Sequence, residues 1–500
     1  MPSEYNPSNT FTLVSLVEPP HLDVHQTVSP ALATMGPGIV YSRLLRLEHV
    51  SDDGELKSVV ECDLCISWKQ QGAETYVFFL RPAVYWHPLH TGDNRTLVAQ
   101  DVVFSLNRQR TPGWPNASLL EAIEDVEAVD DLTVKITLIR PSADFLLSLA
   151  DGHSKIVGRH AVEVNGDLQN GPTIGTGPWM LSSASVGADY IFERNARYFE
   201  DDLPAADGLM IRNVSDEATA FAAFMTRIVD LHRVSFDQWQ IAKEMEHGLH
   251  YSLFREQGSG LMMAMNTARS PLDRLDLRRA IFYALDPQHL INEIWRGWGN
   301  VSVGIPPLTY QGGLIVPNMA DYFDNAASAQ EFAADTFSEG HIGLDMVVAD
   351  FGANYLESGR QVYIQLEEMG FDVNMRMVNP KNYVEEIWHN SDYDVVLGPM
   401  PNASTVNGFL YSLIHSSGQW NLSGISDSDL DALIEDQAME LGGKRIEKLL
   451  EIQEQILEKA FMFMPVSFQR MWMWWPRIKG FNPVFGVSEY FYWSRISLGV

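Results

Sequence analysis

The chain has 500 residues, 46% of them hydrophobic, with 35 basic against 65 acidic side chains and a formal net charge of -30. That length and apolar content exceed what one hydrophobic core usually organises, so about two or three domains are expected. The acidic surplus argues against nucleic acid or an anionic membrane as partner, because either polyanion is repelled, and no apolar run approaches the roughly 20 residues that span a bilayer.

Near the N-terminus, Phe11, Leu13, Ser15 and Val17 alternate as a strand that Pro19-Pro20 ends. The two cysteines, Cys62 and Cys65, have C-x-x-C spacing. Zinc would need four ligands, and no second pair or suitable H-x-x-x-H completes a site. In one extended strand they face opposite sides, so they read as buried small residues, with a local disulfide as the alternative. Thr75, Val77 and Phe79 alternate toward Leu80-Arg81-Pro82-Ala83-Val84-Tyr85-Trp86-His87. Ala99, Val102, Val103 and Leu106 then fall at i, i+3, i+4 and i+7, so a half-buried strand passes into an amphipathic helix that Thr96 is placed to cap. Strands are predicted near residues 122–129 and 132–139, and a helix near 142–150. A cluster of turn formers, Gly171-Pro172 and Gly175 to Pro178, marks a return to another domain, which makes Met35 to Gly171 an inserted smaller domain.

In the C-terminal half, Ile342 to Ala349 is an apolar run, Asn354 to Met369 has helical periodicity ending at Gly370, and Phe371, Val373, Met375 and Met377 alternate as a strand. A helix at about Lys381 to His389 leads into Tyr393 to Leu397. Strand, helix, strand, helix, strand predicts a parallel sheet with right-handed crossovers. Helices near Asp429 to Leu441 and Lys444 to Phe461 follow.

Four segments, in order, resemble signatures of the family 5 extracytoplasmic solute-binding proteins of ABC importers. They are Leu80 to His87 with Ala99 to Leu106, Gly175-Thr176-Gly177-Pro178-Trp179, Arg194 to Phe199, and Leu275 to Asp286. As residues, each reads as fold punctuation, with Arg278 and Arg279 on a solvated helix face. The resemblance implies an α/β, two-lobed periplasmic-binding-protein fold (type II, Venus-flytrap) with an additional inserted α/β domain. On that fold, residues 1–34, 172–262 and 472–500 form lobe one, 35–171 the insertion, and 263–471 lobe two. The resemblance further implies a receptor and not an enzyme, a monomer without cofactor or bound metal. It captures an oligopeptide, oligosaccharide or related small organic solute by lobe closure and delivers it to the importer's membrane permease subunits. Its expected location is periplasmic or otherwise extracytoplasmic. Met1 to Thr10 lacks the basic start and apolar stretch of a secretion signal, so an export signal or lipid-anchored Cys is expected to have been removed from this chain.

Ligands of open α/β sheets gather beyond the carboxyl ends of the strands, which points at Asp350 to Asn354 and at Gly398 to Asn407. The second loop is long and polar, and Met400, Asn402, Ser404 and Asn407 are its candidate ligand contacts, with Thr405 beside them. The resemblance implies an Asp in this loop that pairs with a peptide's N-terminal ammonium, but the loop contains no acid. An unpaired ammonium costs several kcal/mol to desolvate, so peptide binding here would need a carboxylate from elsewhere. Trp388 before the loop, Trp420 after it, and Phe236 with Trp239 offer flat apolar faces of the kind that sugars and aromatic solutes use. Met262 and Met263 lie on a probable strand where the resemblance places ligand, and Met471 to Pro476 reads as strand packing. His21-Leu22-Asp23-Val24-His25 has metal-like spacing on a strand, yet Pro19-Pro20 argue against a regular strand and a fourth ligand is missing, so His21 is retained as a ligand contact only. Asp427 to Asp431 resembles the opening of a calcium loop but lacks its Gly and Glu, and acids entering a helix N-terminus account for it. Two rivals remain: a nickel or metal-chelate receptor using His21, His25 and His415, and a carbohydrate hydrolase, which would need two carboxyl groups about 5 to 10 Å apart where the favoured loops offer only Asp350.

Overall fold

A computed structural model describes residues 9–52, 55–184, 189–246, 248–306, 319–325, 327–329, 331–332, 342–400, 405–483 and 491–499. The chain forms two compact units, residues 1–254 with 470–500 and residues 255–469, and it passes between them twice.

In unit one, β1 (Thr10–Ser15) is followed by the hairpin β2 (Leu45–Asp52) and β3 (Glu55–Cys62), then β4 (Cys65–Gln71) and β5 (Thr75–Leu80). Helix α1 (Ala99–Gln109), strands β6 (Ile123–Asp130) and β7 (Thr133–Leu138) and helix α2 (Phe145–Ala150) complete the segment expected as an insertion. Its four-stranded sheet runs β4-β5-β7-β6, all antiparallel. A second sheet uses β1 with β8 (Trp179–Ser183), β9 (Tyr190–Arg194), β10 (Gly208–Asn213) and β11 (Leu231–Val234), in the order β11-β1-β10-β9-β8. Residues 471–474 pair antiparallel with β11. The apolar faces of both sheets meet in one cluster, in which Phe11, Phe78, Ile136, Trp179, Phe192, Trp472 and Trp493 are all buried.

Three local readings change on folding. Cys62 and Cys65 are joined in a disulfide. The expectation of opposite facing assumed one strand, whereas β3 ends at Cys62 and β4 begins at Cys65, so the turn through Asp63-Leu64 brings the sulfurs together. Helix α1 is not capped by Thr96: Val98 holds the cap position, and its N–H donates to the Asp101 carboxylate at 3.1 Å. Arg278 is not solvated. It is buried, and its guanidinium donates to the carbonyls of Leu272 at 2.9 Å and Lys459 at 3.1 Å. The Gly175 turn is a close-packed element: a Cβ there would lie 2.0 Å from the Val40 carbonyl oxygen, so any larger residue displaces backbone.

Helix α3 (Phe236–Met245) leads to β12 (His250–Met265), whose residues 261–265 already belong to unit two. Unit two continues with α4 (Leu275–Ala284), β13 (Gly299–Ser302), β14 (Ile342–Ala349), α5 (Ala353–Met369), β15 (Phe371–Val378) and β16 (Val395–Pro399). Helices α6 (Ser428–Met439) and α7 (Gly443–Glu458) and strand β17 (Met462–Trp474) follow, the strand passing into unit one from residue 470. Strand β14 pairs in parallel with β15, Ile342 opposite Phe371 through Ala349 opposite Val378, and in parallel with β16, Val348 opposite Leu397. The predicted parallel sheet is therefore present, extended by antiparallel pairing of β12 with β16. Its strands are apolar runs because both faces are covered. Val347, Val396, Leu397, Leu366, Ile387, Phe409, Leu449 and Ile456 lie in one buried cluster.

Candidate functional site

Because β14, β15 and β16 are parallel and in register, their carboxyl ends lie along one edge of the unit-two sheet. The chain leaves β14 through Asp350, whose N–H donates to Val378 at 2.8 Å, and Phe351 comes next. It leaves β15 through the short turn Pro380–Tyr383, which runs into the π-helical segment Val384–His389 carrying Trp388. It leaves β16 at Met400. Each strand end thus delivers an apolar side chain to the same edge, and wide π turns of this sort recur at functional positions.

The rings meet edge to face. Phe351 and Tyr383 have centroids 5.5 Å apart at 74°, Tyr383 and Trp388 6.2 Å apart at 81°, and Trp388 and Trp420 6.2 Å apart at 75°. This is the arrangement that aromatic quadrupoles favour, worth about 0.5–1.5 kcal/mol per pair beyond area burial. Tyr383 is buried at the centre of the row, while Phe351 is 41% and Trp420 36% exposed. The Tyr383 hydroxyl donates to the Pro399 carbonyl at 3.0 Å, which ties it to the end of β16. Burial holds that phenol protonated, well above its ordinary range. The fit depends on Gly398, since a Cβ at that position would stand 2.3 Å from the Tyr383 hydroxyl oxygen. Farther along, Tyr355 lies 5.8 Å from Trp295, and Trp295 lies 4.6 Å from Phe468.

The row brings Trp388 and Trp420 together, and Met400 packs against the same core at the end of β16. Asn402 and Ser404 lie outside the described residues. Asn407 is half-buried, and its amide oxygen accepts from Gln437 at 3.2 Å. Thr405 caps the helical turn Val406–Phe409, accepting from the Gly408 N–H at 3.0 Å. Met262 and Met263 have no exposed surface and form part of the unit-two core. Phe236 and Trp239 belong to unit one, where their rings lie 5.5 Å apart and Trp239 meets the edge of Tyr251 at 6.0 Å. His21, also in unit one, is engaged locally: one ring nitrogen meets the Thr27 hydroxyl at 2.9 Å and the other accepts the Asp23 N–H at 3.1 Å. Sequence reasoning missed Phe351 and Tyr383. The expectation of a functional loop after Ala349 could have singled out Phe351, but nothing local marks Tyr383.

The metal-like pattern at the N-terminus has other work. Asp23 is paired with Arg108 at 2.5 Å, and the His25 ring donates to Lys155 O at 2.8 Å while its second nitrogen faces Arg108 at 3.1 Å. Asp427 caps α6 through the Asp429 and Leu430 N–H groups at 3.1 and 3.0 Å and pairs with Lys459. Among the described residues no group of three or more potential ligands is arranged to hold a metal ion. A cavity of about 200 Å³ opens elsewhere in unit two, lined by Arg279, Phe282, Tyr283, Tyr322, Leu457 and Glu458, and contains none of the predicted contacts. No helix among the described residues is long and apolar enough to cross a membrane.

Parallel strands with a partly exposed aromatic edge suit the holding of a small molecule, and comparison with known proteins supplies the class. The model of the family described as bacterial extracellular solute-binding proteins, family 5 Middle, matches residues 28–421. Heme-binding protein A of Haemophilus influenzae is 24% identical, covering 93% of this chain and 89% of its own. A probable di/tripeptide-binding protein 5 of Pseudomonas aeruginosa is 25% identical over 92% of this chain and 90% of its own. The structure of HbpA2 from Haemophilus parasuis superposes with a TM-score of 0.81 at 19% identity, covering 98% of this chain and all of that one. The chain belongs to the family 5 extracellular solute-binding proteins. It is the substrate-binding component of an ABC importer, capturing a small solute for a membrane permease.

Proposed function

We propose that the solute is held at the carboxyl edge of the unit-two sheet and that capture draws the two units together around it. Contacts made from both units exist only in the closed form, so the solute shifts the population toward closure and is presented to the permease unchanged. The observation that carries this reading is the partly exposed aromatic row, Phe351 to Trp420, at the place where ligands of parallel sheets gather. Residues 35–171 act as an inserted subdomain with its own antiparallel sheet, the rest of residues 1–254 with residues 470–500 completes lobe one, and residues 255–469 make lobe two. The receptor works as a monomer outside the cytoplasm, a compartment in which the Cys62–Cys65 disulfide persists. Peptides, haem and glutathione are the named ligands of its relatives and head the solutes to screen.

The test is a melting screen of the intact chain against short peptides, sugars, opines, polyamines, haem and nickel chelates. A solute at a hundredfold excess over its Kd stabilises the native state by about 2.7 kcal/mol, a shift of several degrees. The hit should be recovered from the protein with its mass unaltered. Turnover of the hit, or a shift that survives loss of both Trp388 and Trp420, would overturn the proposal.

A further inference from the structure

We infer that the group seated in unit two is an uncharged aromatic ring of the solute. This rests on the capture reading above and specifies the chemistry of the same site. Three observations carry it. The row ends in two rings, Phe351 and Trp420, that keep more than a third of their surface exposed, whereas the rings between them are more buried and held edge to face. A further flat ring extends such a row with the same geometry that already orders it. Residues 398–407 contain no Asp, Glu, Lys, Arg or His, so the described end of β16 and the helical turn after it, Gly398 to Met400 and Thr405 to Asn407, offer no counter-charge to an ionised group. The charged groups beside the row, Asp350 next to Phe351 and Lys381 and Glu385 on the segment carrying Tyr383 and Trp388, are exposed, and water screens them. Lastly, the hydroxyl of Tyr383 is committed to the Pro399 carbonyl, so its ring is fixed and its polar atom is already satisfied. Tyr383 is therefore a positioning residue that holds the rings on either side of it.

Intrinsic tryptophan fluorescence and calorimetry on the intact chain, with three matched probes, test the inference. The probes are acetyl-Phe-Phe-amide, which is aromatic and uncharged, the free dipeptide Phe-Phe, which is aromatic and zwitterionic, and acetyl-Ala-Ala-amide, which is uncharged without rings. The blocked aromatic probe should bind about three- to tenfold more tightly than the blocked alanine probe and no more weakly than the zwitterion, since one well-placed ring pair supplies roughly that factor. Trp420→Ala should lower the affinity for the aromatic probe by about tenfold at an unchanged melting temperature, and Trp420→Phe should restore most of it. Equal binding of the two blocked probes, preference for the zwitterion, or binding indifferent to Trp420→Ala would overturn the inference. So would absence of binding by all three probes. If the melting screen still found a solute in that case, the capture reading would stand and only the aromatic seat would fall.

Discussion

Lowering the pH from 7 to 5 should destabilise this protein steeply, through three histidines buried in the neutral form. In unit one, His25 donates to Lys155 O at 2.8 Å and faces Arg108, and His87 donates to Gly177 O at 3.0 Å while accepting the Gly175 N–H at 3.3 Å. His232, on β11, lies 6.0 Å from the Phe224 ring, and its Nε2 has no hydrogen-bond partner among the described residues. Burial, reinforced by the neighbouring Arg108, Arg197 and Arg233 charges respectively, lowers each from 6.5 to about 4. A histidine whose folded pKa lies below its unfolded one binds fewer protons when folded. Its contribution is therefore complete above about pH 6.5, falls as the pH drops toward 4, and is exhausted below that value. Near pH 5.5 each site contributes a slope of about 1.2 kcal/mol per pH unit, so three together lower stability by roughly 3 to 4 kcal/mol between pH 6 and pH 5. Equilibrium urea unfolding at pH 7, 6 and 5 measures this directly. His232→Phe keeps an apolar ring beside Phe224 and removes one titrating group, so it should flatten the slope by about one third. Stability that stays level from pH 7 to pH 5, or a slope unmoved by His232→Phe, would refute the assignment of these histidines as buried and neutral.

Other perturbations probe different parts of the molecule. Gly398→Ala places a methyl group 2.3 Å from the Tyr383 hydroxyl oxygen, and overpacking of this kind costs about 1–3 kcal/mol; calorimetry should show that loss together with weaker solute binding. Arg108→Ala strands the buried Asp23 carboxylate, and breaking such a pair costs about 3–5 kcal/mol, read as a lowered denaturation midpoint at pH 7. Replacing Cys62 and Cys65 together by Ser opens a loop of sequence separation 3, for which chain entropy gives about 2 kcal/mol; thiol titration of the unfolded, unreduced wild type should find no free thiol.

Much of unit two is legible in the sequence. The run Ile342 to Ala349 and the alternation from Phe371 to Met377 announce β14 and β15 because a side chain's face follows directly from its position along a strand. The spacing of connecting helices then leaves parallel pairing as the simple solution. The site itself is only half legible. Trp388 and Trp420 are recognisable as large rings near a strand end, but that they meet, and that Tyr383 joins them to Phe351, follows from the register of β14 on β15. Met262 and Met263 resembled a contact surface until the pairing of β12 with β16 and the helices over it buried them. Asn407 is polar and sits in the favoured loop, yet Gln437, distant in sequence, takes its amide oxygen. The helix expected at Lys381 to His389 begins as a single α turn and widens into a π segment, a change that no periodicity of nine residues discloses.

The two chain passages described above also set an order of assembly. Residues 255–469 are uninterrupted, so that body has its whole core once its last strand has been synthesised. The other body cannot finish then: β11 still lacks its neighbour at residues 471–474, and Trp472, Phe481, Trp493 and Ile496, all buried in its interior, are made only later. A ribosome that stalls or a protease that cuts within residues 470–500 would therefore leave one half intact and the other with its centre missing.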